Sequence, residues 1–372
     1  MKNIFVFLAF MALISCSTPK VINLHAISKP IDDVGVMFSL PKTILKVEVN
    51  INRTTLHKGP FAEFADKYFG LQNVITSEQT TYSIGDVNVT TLKEADSTQL
   101  YFISNLPHRF KIDFDEYGLL NSINTFGERK EIHKNIRIEQ DDNINLQSDL
   151  FRNYAENNLV EKIDTITEEV HADTASFLKQ TLKKTLIAKP MTLRVEEAAD
   201  YILKVRQSRL NILSATSEVA FEKASIKYMA DELLKIENEY MTLFTGIVDK
   251  QMETYTYYVE PLANQDVYPL FVFSNAEGIV KKGGEKSFPI ELKITAEKTY
   301  SKVTEHLSSK HFQKGFPYRM PENLEITVSS PYATLTNIKL AILQRGVVYR
   351  LPFGNHSRMR SRPNGTLEFI KY

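Results

Sequence analysis

The chain of 372 residues is long enough to fold as two domains or as one large domain with an ample hydrophobic core. Its hydrophobic content of 43% and its charged content of 24% are typical of a globular protein and exclude an intrinsically disordered one. Lysine plus arginine and aspartate plus glutamate each number 45, so no net positive charge favours nucleic-acid binding.

The first sixteen residues have the pattern of a bacterial lipoprotein signal peptide. Lys2 precedes an apolar run from Ile4 to Ile14, which is too short to span a bilayer and has the length of a signal-peptide core. A small residue and then Cys16 follow this run, as at a lipoprotein cleavage site. We therefore expect residues 1–15 to be removed and Cys16 to be acylated, with palmitate as one acyl chain. The alternative is an ordinary signal peptide followed by an unrelated cysteine.

Cys16 is also the only cysteine of the chain. Its acylation would leave the mature protein without a thiol, which excludes disulfides, thiolate catalysis and cysteine-ligated metals. Several acyl chains on one residue give stable membrane attachment, whereas a single chain would be marginal. The sequence therefore predicts attachment to a membrane through N-terminal acyl chains. No second apolar run is long enough to span the membrane.

The segments before residue 127 predict a tether followed by a β-rich domain. Residues 16–33 are interpreted as a lipidated tether that holds the folded body away from the membrane. The N-terminal β-rich domain covers residues 34–126 and contains an alternating strand at 45–51. A short helix opens at Gly59-Pro60 and is closed by Gly70. Further strand patterns of this domain lie at 81–92, 100–104 and 110–114.

Two long helices are predicted in the middle of the chain. They follow a polar connecting region, residues 127–190, whose periodicity does not define a structure. Helical periodicity then covers about 193–213 and 225–245, and Gly246 is a favoured residue after a helix end. Residues 191–246 are therefore predicted to form an antiparallel αα-hairpin.

A second β-rich domain is predicted over residues 247–372. Its strand patterns lie at 255–259, 270–274, 288–295, 324–329, 335–344, 346–351 and 366–371. The predicted fold class is therefore α+β, with a β-rich N-terminal part, a central antiparallel αα-hairpin and a β-rich C-terminal part. Sandwich-like sheets are the favoured arrangement of the strands.

Both predicted helices carry charges within their apolar faces. Arg206 and Arg209 fall within about 40° of the centre of the first apolar arc, and Glu237 lies in the middle of the second. When residues are counted along each helix from the loop that joins the two helices, the axial levels of Glu237 and Arg206 differ by about 7 Å. An arginine side chain can span that distance, so the sequence predicts an ion pair between them. Arg209 lies farther away and is predicted to contact a β-domain carbonyl or Tyr240. The favoured interpretation is a structural cluster that fixes helix register; the alternative is a guanidinium pair that binds an anionic ligand.

Five segments spread over nearly the whole mature chain carry motifs that are distinctive in combination. They are residues 38–43 (FSLPKT), 59–70 (from GPFA to YFG), 197–209 (from EAAD to the two arginines), 243–246 (LFTG) and 342–352 (from ILQRG to LP). Together these segments resemble a family of Bacteroidota lipoproteins described as domain of unknown function 4831. Arg345 departs from the pattern, since an aromatic residue is expected there. The resemblance implies a cell-envelope location and brings no established activity, cofactor or catalytic residue.

The residues after Cys16 favour the inner side of the outer membrane. Ser17 and Thr18 begin no acidic run, unlike the surface-export signals of many Bacteroidota lipoproteins. We therefore expect an outer-membrane lipid anchor whose folded body faces the periplasm.

The sequence contains no recognisable catalytic or metal-binding motif, and no cofactor is predicted. Among the eight scattered histidines, His306 and His311 are five residues apart and fall on different faces of a helix. No nucleophile elbow is present. The acceptor pattern for O-glycosylation in Bacteroidota envelope proteins occurs at Ser97, Thr165 and Thr174, although so short a pattern often matches by chance.

Two functions follow from these observations as hypotheses. The first is a non-catalytic envelope component that binds another protein or a glycan. The second is an envelope hydrolase or a small-anion carrier that uses Arg206 and Arg209. A closed helical core around these arginines favours the first function, and a deep polar cleft that opens onto them favours the second.

Overall fold

The computed structural model describes residues 19–26, 33–106, 111–124, 150–154, 158–172, 175–214, 223–281, 284, 286–296, 315–351 and 358–369. The chain divides into two compact units. The first, called the β unit, comprises Met1–Asn52, Tyr82–Lys134 and Met252–Tyr372. The second, called the helical unit, comprises Arg53–Thr81 and Asn135–Gln251.

The described residues contain fifteen strands and three α-helices. The first seven strands are β1 (Lys20–Asn23), β2 (Gly35–His57), β3 (Gln79–Ser104), β4 (Ile112–Phe114), β5 (Leu120–Ile123), β6 (Leu159–Ala172) and β7 (Ala175–Ala188). The others are β8 (Ile247–Val259), β9 (Val267–Ser274), β10 (Gly278–Val280), β11 (Ser287–Ala296), β12 (Phe316–Ser329), β13 (Thr334–Leu351), β14 (Met359–Ser361) and β15 (Leu367–Phe369). The helices are α1 (Ala65–Phe69), α2 (Met191–Leu213) and α3 (Lys223–Thr245).

Strands of two sheets share the main core of the β unit. One sheet has the order β1-β3-β2-β8 and the other the order β10-β9-β11-β12-β13. Alternate residues of β2, among them Leu45 and Val49, are fully buried and pack with Phe273, Ile290 and Ile326 from the second sheet. The sequence specifies this arrangement because strand residues two apart point to the same face.

A smaller core lies in the same unit around Phe38. A third sheet, of order β15-β14-β5-β4, contributes Leu120, Ile123 and Met359 to it. The Phe38 ring stacks on Phe316, with the two ring centroids 4.8 Å apart. The long strand β2 therefore contributes to two cores. Its first part, with Phe38, lies in the smaller core, and its later part, with Leu45 and Val49, lies in the main core.

The helical unit combines the helix pair with a β-hairpin. A 3-10 turn (Ala62–Phe64) leads into α1, and Gly70 ends that helix in the left-handed region at φ +67°. Val195 and Ile202 of α2 pack with Phe244 of α3 in the core of this unit. Strands β6 and β7 pair with each other in an antiparallel two-stranded sheet.

The structure confirms the predicted α+β class and both long helices, whose observed ends lie within two residues of the predicted ones. The strands are longer than predicted: the patterns at 81–92 and 100–104 belong to one strand, β3, and those at 335–344 and 346–351 both belong to β13. Within the polar region 127–190, where no structure was predicted, the chain forms the β6–β7 hairpin.

Two features differ from the predicted organisation of the chain. Residues 20–23, within the segment interpreted as a free tether, form β1 and pair antiparallel with β3, where Val21 packs against the smaller core. The N-terminal and C-terminal β-rich parts were predicted as separate domains, yet β2 and β11 share one core. The two parts also share sheets, because β8 of the C-terminal part belongs to the β1-β3-β2-β8 sheet and β14 pairs with β5 of the N-terminal part.

None of the helices in the described part of the chain has the length and apolar character needed to cross a membrane.

Candidate functional site

A cleft of about 260 Å³ opens beside the helix pair of the helical unit. We call it the aromatic cleft. Its wall is formed by Phe61, Asn153, Tyr154, Arg194, Glu197, Ala198, Tyr201, Tyr240 and Leu243. The volume lies just below the range of about 300–1,000 Å³ that is typical of small-molecule sites, so a ligand of one or two rings is the appropriate size.

Helix periodicity places the cleft residues on common faces. Arg194, Glu197, Ala198 and Tyr201 occupy positions i, i+3, i+4 and i+7 of α2, which lie on one side of a helix. Helix α2 begins after Pro190, whose carbonyl accepts hydrogen bonds from the backbone N–H groups of residues 193 and 194. The regular start of the helix therefore fixes where these side chains point.

Aromatic rings form much of the cleft wall. The rings of Tyr201 and Tyr240 pack at a tilt, with their centroids 4.5 Å apart, and Tyr201 is 40% exposed. Phe61 is buried and packs at a tilt against Tyr154, at 5.7 Å between centroids. The cleft therefore offers flat apolar surfaces with phenol hydroxyl groups at their edges.

The polar groups of the cleft are held in place by neighbours. The guanidinium of Arg194 lies 3.9 Å above the ring of Tyr154 and donates a hydrogen bond of 2.6 Å to its backbone carbonyl. The ammonium of Lys189, only 5% exposed, donates to both carboxylate oxygens of Glu197 at 2.9 and 2.7 Å. Both charged groups of the cleft wall therefore have a defined orientation before any ligand arrives.

The structure brings Arg206, Arg209 and Glu237 together between the two long helices. Arg206 Nε donates to Glu237 Oε1 at 2.6 Å, and a guanidinium nitrogen of Arg209 lies 3.0 Å from Oε2. The Glu237 side chain is 8% exposed, whereas those of Arg206 and Arg209 are 38% and 29% exposed. The carboxylate is thus buried, whereas both arginine side chains are partly exposed.

The position of Arg209 corrects the sequence-based prediction. Arg209 was expected to contact a β-domain carbonyl or Tyr240, but it forms an ion pair with the second carboxylate oxygen of Glu237, the one that Arg206 does not contact. Tyr240 lies on the wall of the aromatic cleft, packed against Tyr201. The guanidinium of Arg206 is additionally placed over the Phe69 ring, 5.4 Å from its centroid.

The remaining sequence-predicted sites lie elsewhere. Cys16 and Thr174 fall outside the residues that the structure describes. Ser97 is exposed on β3, and its backbone carbonyl lies 2.7 Å from His25 Nε2. Thr165 is exposed on β6. Ser97 belongs to the β unit and Thr165 to the helical unit.

A buried ion pair in the β unit was not predicted from the sequence. Asp96 lies 2.5 Å from Arg319, which also donates 2.9 Å to the carbonyl of Pro41. Burial alone would raise the pKa of Asp96, but hydrogen bonds from Thr98 and Arg319 outweigh it and hold the pKa below its usual value. The two residues are 223 positions apart, and neither stands out from its neighbours in the sequence.

The aromatic cleft was likewise not identified from the sequence. Arg194, Glu197 and Tyr201 were not predicted to be site residues. The available signal was their spacing. Arg194, Glu197 and Tyr201 lie at positions i, i+3 and i+7 of α2, so they share a helix face with the buried Ala198. Among the described residues, no group of three or more potential ligands could hold a metal ion.

The fold and cleft define an α+β protein with a strand-rich unit and a helical unit that carries an aromatic cleft. The chain belongs to the family described as domain of unknown function (DUF4831), whose model matches residues 34–354. The family resemblance noted in the sequence is thereby confirmed. No curated protein and no solved structure matched the chain.

Proposed function

We propose that this protein is a lipid-anchored, non-catalytic binding module of the cell envelope that holds a sugar in the aromatic cleft. The observation that carries the proposal is the composition of the cleft wall, which combines tyrosine and phenylalanine rings with one guanidinium, one carboxylate and one amide. The Glu197 carboxylate is paired with Lys189, and the Arg194 guanidinium is held by the carbonyl and ring of Tyr154, so both charges already have partners, which favours a neutral ligand over an anion or a cation.

A sugar matches both kinds of surface in the cleft. A pyranose ring presents C–H groups on its face, which pack against aromatic rings, and hydroxyl groups around its edge. Tyr201 and Tyr240 offer the aromatic surface. Arg194 can donate to a hydroxyl oxygen, Glu197 can accept from a hydroxyl group, and Asn153 can do both. The ordered side chains reduce the entropy cost of binding.

The single carboxylate of the wall supports binding rather than hydrolysis. Most glycoside hydrolases need two carboxyl groups about 5–9.5 Å apart, one on each side of the bond that is cleaved. Among the described residues that line the cleft, Glu197 is the one carboxylate, and Lys189 holds both of its oxygens.

The alternative function, an envelope hydrolase or anion carrier built on Arg206 and Arg209, has less support. Both guanidinium groups already contact the buried carboxylate of Glu237. An incoming anion would have to compete with that carboxylate, and neither arginine lines the aromatic cleft. The observed closed arrangement favours a structural role for this cluster.

The lipid anchor is the other half of the proposal. Its support is the order of three features in the sequence: the apolar run from Ile4 to Ile14, then a small residue, and then Cys16. The acyl chains would hold the cleft at the outer membrane, facing the periplasm. Metabolic labelling with a fatty-acid analogue should mark the wild-type chain and leave Cys16→Ala unmarked; equal labelling of both would refute the anchor.

Calorimetric titration with neutral sugars tests the cleft. The protein is the mature chain from residue 16 with Cys16→Ser, and the probes are glucose, galactose, mannose, N-acetylglucosamine and their disaccharides. We expect at least one probe to bind and Tyr201→Ala to weaken it tenfold or more. Tyr228→Ala is the matched control, because Tyr228 is a 67% exposed tyrosine of α3 outside the cleft wall. Equal loss in both variants, or no binding by wild type, would reject the proposal.

A further inference from the structure

The wall of the aromatic cleft changes along α2 from charged to aromatic. Arg194, Glu197 and Tyr201 follow one another on this helix, and a rise of about 1.5 Å per residue places Glu197 between the other two along the axis. The rings of Tyr201 and Tyr240, packed on each other, form the aromatic end. A substituent that extends from a sugar ring stacked there toward the start of α2 therefore meets Glu197 first and Arg194 next.

Both charged groups of the wall keep hydrogen-bonding capacity beyond their contacts within the protein. One guanidinium nitrogen of Arg194 donates to the carbonyl of Tyr154, and an arginine has several further N–H donors. Each carboxylate oxygen of Glu197 accepts one bond from Lys189, whereas a carboxylate has about four acceptor sites. The Glu197 side chain is 47% exposed, so a ligand can reach it. The cleft therefore offers an oriented donor and an oriented acceptor three residues apart on one helix face.

A small apolar surface lies beside this donor and acceptor. Ala198 follows Glu197 directly, lines the cleft and is buried. Its neighbours on the same helix face are Arg194, four residues before it, and Tyr201, three residues after it. The short alanine side chain leaves room between these two long ones, and Leu243 of α3 adds aliphatic surface to the same cleft. The position suits an apolar group of the size of a methyl.

We propose, on the basis of the proposed sugar-binding function, that the aromatic cleft selects sugars that carry an acetamido group on the ring. This group has one N–H donor, one carbonyl acceptor and one methyl group. Its N–H lies next to the ring and donates to Glu197, and its carbonyl lies farther out and accepts from Arg194, which is the order of these residues along α2. The methyl group packs on Ala198. Hydrogen bonds to charged groups are about twice as strong as those between neutral groups.

Charged substituents at the same place on the sugar each meet one unfavourable neighbour. The ammonium of an amino sugar would come close to the guanidinium of Arg194, and the carboxylate of a uronic acid would come close to that of Glu197. Like charges repel more strongly where surrounding protein displaces water, as it does in a cleft. The neutral acetamido group avoids both conflicts and gives a partner to each charged side chain.

Calorimetric titration of the mature chain with Cys16→Ser tests the selectivity without any further variant. N-acetylglucosamine is compared with glucose, glucosamine and glucuronic acid, and N-acetylgalactosamine with galactose. We expect at least one N-acetylated sugar to bind tenfold or more tightly than its parent hexose and than the charged sugars. Binding of a parent hexose or a charged sugar as tight as that of the N-acetylated sugar would overturn this inference and leave the sugar site itself standing. Binding of none of these sugars would reject both.

The ratio of the dissociation constants of the parent hexose and the N-acetylated sugar tests the assigned contacts. Glu197→Gln should lower this ratio at least threefold, because it removes the charge from the acceptor of the acetamido N–H. Tyr201→Ala should weaken both sugars by the same factor and keep the ratio. Glu196→Gln is the matched control, an exposed glutamate of α2 outside the cleft wall, and should bind as wild type does. An unchanged ratio in Glu197→Gln, or an equal fall in Glu196→Gln, would overturn the assignment; circular dichroism checks each fold.

Discussion

The charged residues between the long helices show how burial is divided within an ion pair. Glu237 is buried, while the side chains of Arg206 and Arg209 that pair with it are partly exposed. The sequence predicted the pairing of Arg206 with Glu237 from helix faces alone. It could not predict the second contact of Glu237, because the relative rotation of two helices changes which arginine comes within 3 Å.

Removing the Glu237 carboxylate is expected to destabilise the protein. Glu237→Ala should lower the free energy of unfolding by about 1–3 kcal/mol, because it removes the buried carboxylate that pairs with two guanidinium groups. The loss should stay below the roughly 3–5 kcal/mol of a fully buried pair, since both arginine side chains are partly exposed. Denaturant unfolding of Glu237→Ala beside Glu232→Ala, an exposed glutamate of the same helix, measures it.

The double replacement Arg206→Met with Glu237→Leu should recover much of that loss, because a packed apolar pair can replace a buried ion pair. A Glu237→Ala effect no larger than that of Glu232→Ala would show that the cluster does not stabilise the helix pair. An increase in stability would instead support a ligand-binding role for the two arginines.

Asp96 should make the β unit sensitive to acid. Its folded-state pKa is held below the usual value by Thr98 and Arg319, against the opposing effect of burial. The stabilisation is therefore fully present above about pH 4 and is lost as the pH falls through the lowered folded-state pKa. Asp96→Asn should lower the unfolding free energy at neutral pH, and the difference from wild type should shrink on acidification.

Urea unfolding between pH 2 and pH 7 checks the role of Asp96. The matched control is Asp86→Asn, which alters an exposed aspartate of the same strand and should follow the wild-type curve. A difference between Asp96→Asn and wild type that stays constant over the whole pH range would contradict the assignment of the lowered pKa to the folded state.

Among the elements, the helices were predictable and the hairpin was not. Helices α2 and α3 have apolar residues at helical spacing over 23 residues each, and that periodicity does not depend on the rest of the fold. Strands β6 and β7 mix charged and aliphatic side chains on exposed faces, so the alternation that marks a half-buried strand is weak. The cleft was missed because Phe61, Tyr154 and Tyr240 come from three separate segments.

The end of α3 provides a test at the scale of an element. Gly246 has φ +84°, and a Cβ there would lie 2.8 Å from Ile75 Cβ and meet the carbonyl of His57. Gly246→Ala should therefore destabilise the protein by more than about 1 kcal/mol, the cost of a positive φ alone. Gly70→Ala is the control, with φ +67° and open space around the added methyl group.

Thermal melts of these two glycine variants separate conformational strain from steric contact. We expect Gly246→Ala to melt several degrees below Gly70→Ala. Equal shifts would indicate that the segments around His57 and Ile75 move aside to accept the added carbon.

At the scale of the whole molecule, the sequence predicted the class of fold but not how its parts combine. The alternation of β2 and β11 indicated two sheets with apolar faces. Nothing local to either strand indicated that Val49 and Ile290, 241 residues apart, share one core. Such long-range packing depends on which sheet faces remain exposed after the local elements form. That in turn depends on the sequence of the whole chain.

The central claim is that the aromatic cleft binds a sugar, and hydrogen exchange with and without the tightest-binding sugar probe tests it most directly. The account predicts slower exchange in segments that line the cleft, around Arg194–Tyr201 and Tyr240–Leu243, because the ligand contacts both helices there. Exchange in the β6–β7 hairpin should stay unchanged. Protection confined to other segments, or no protection at saturating sugar, would contradict the assignment of this cleft as the binding site.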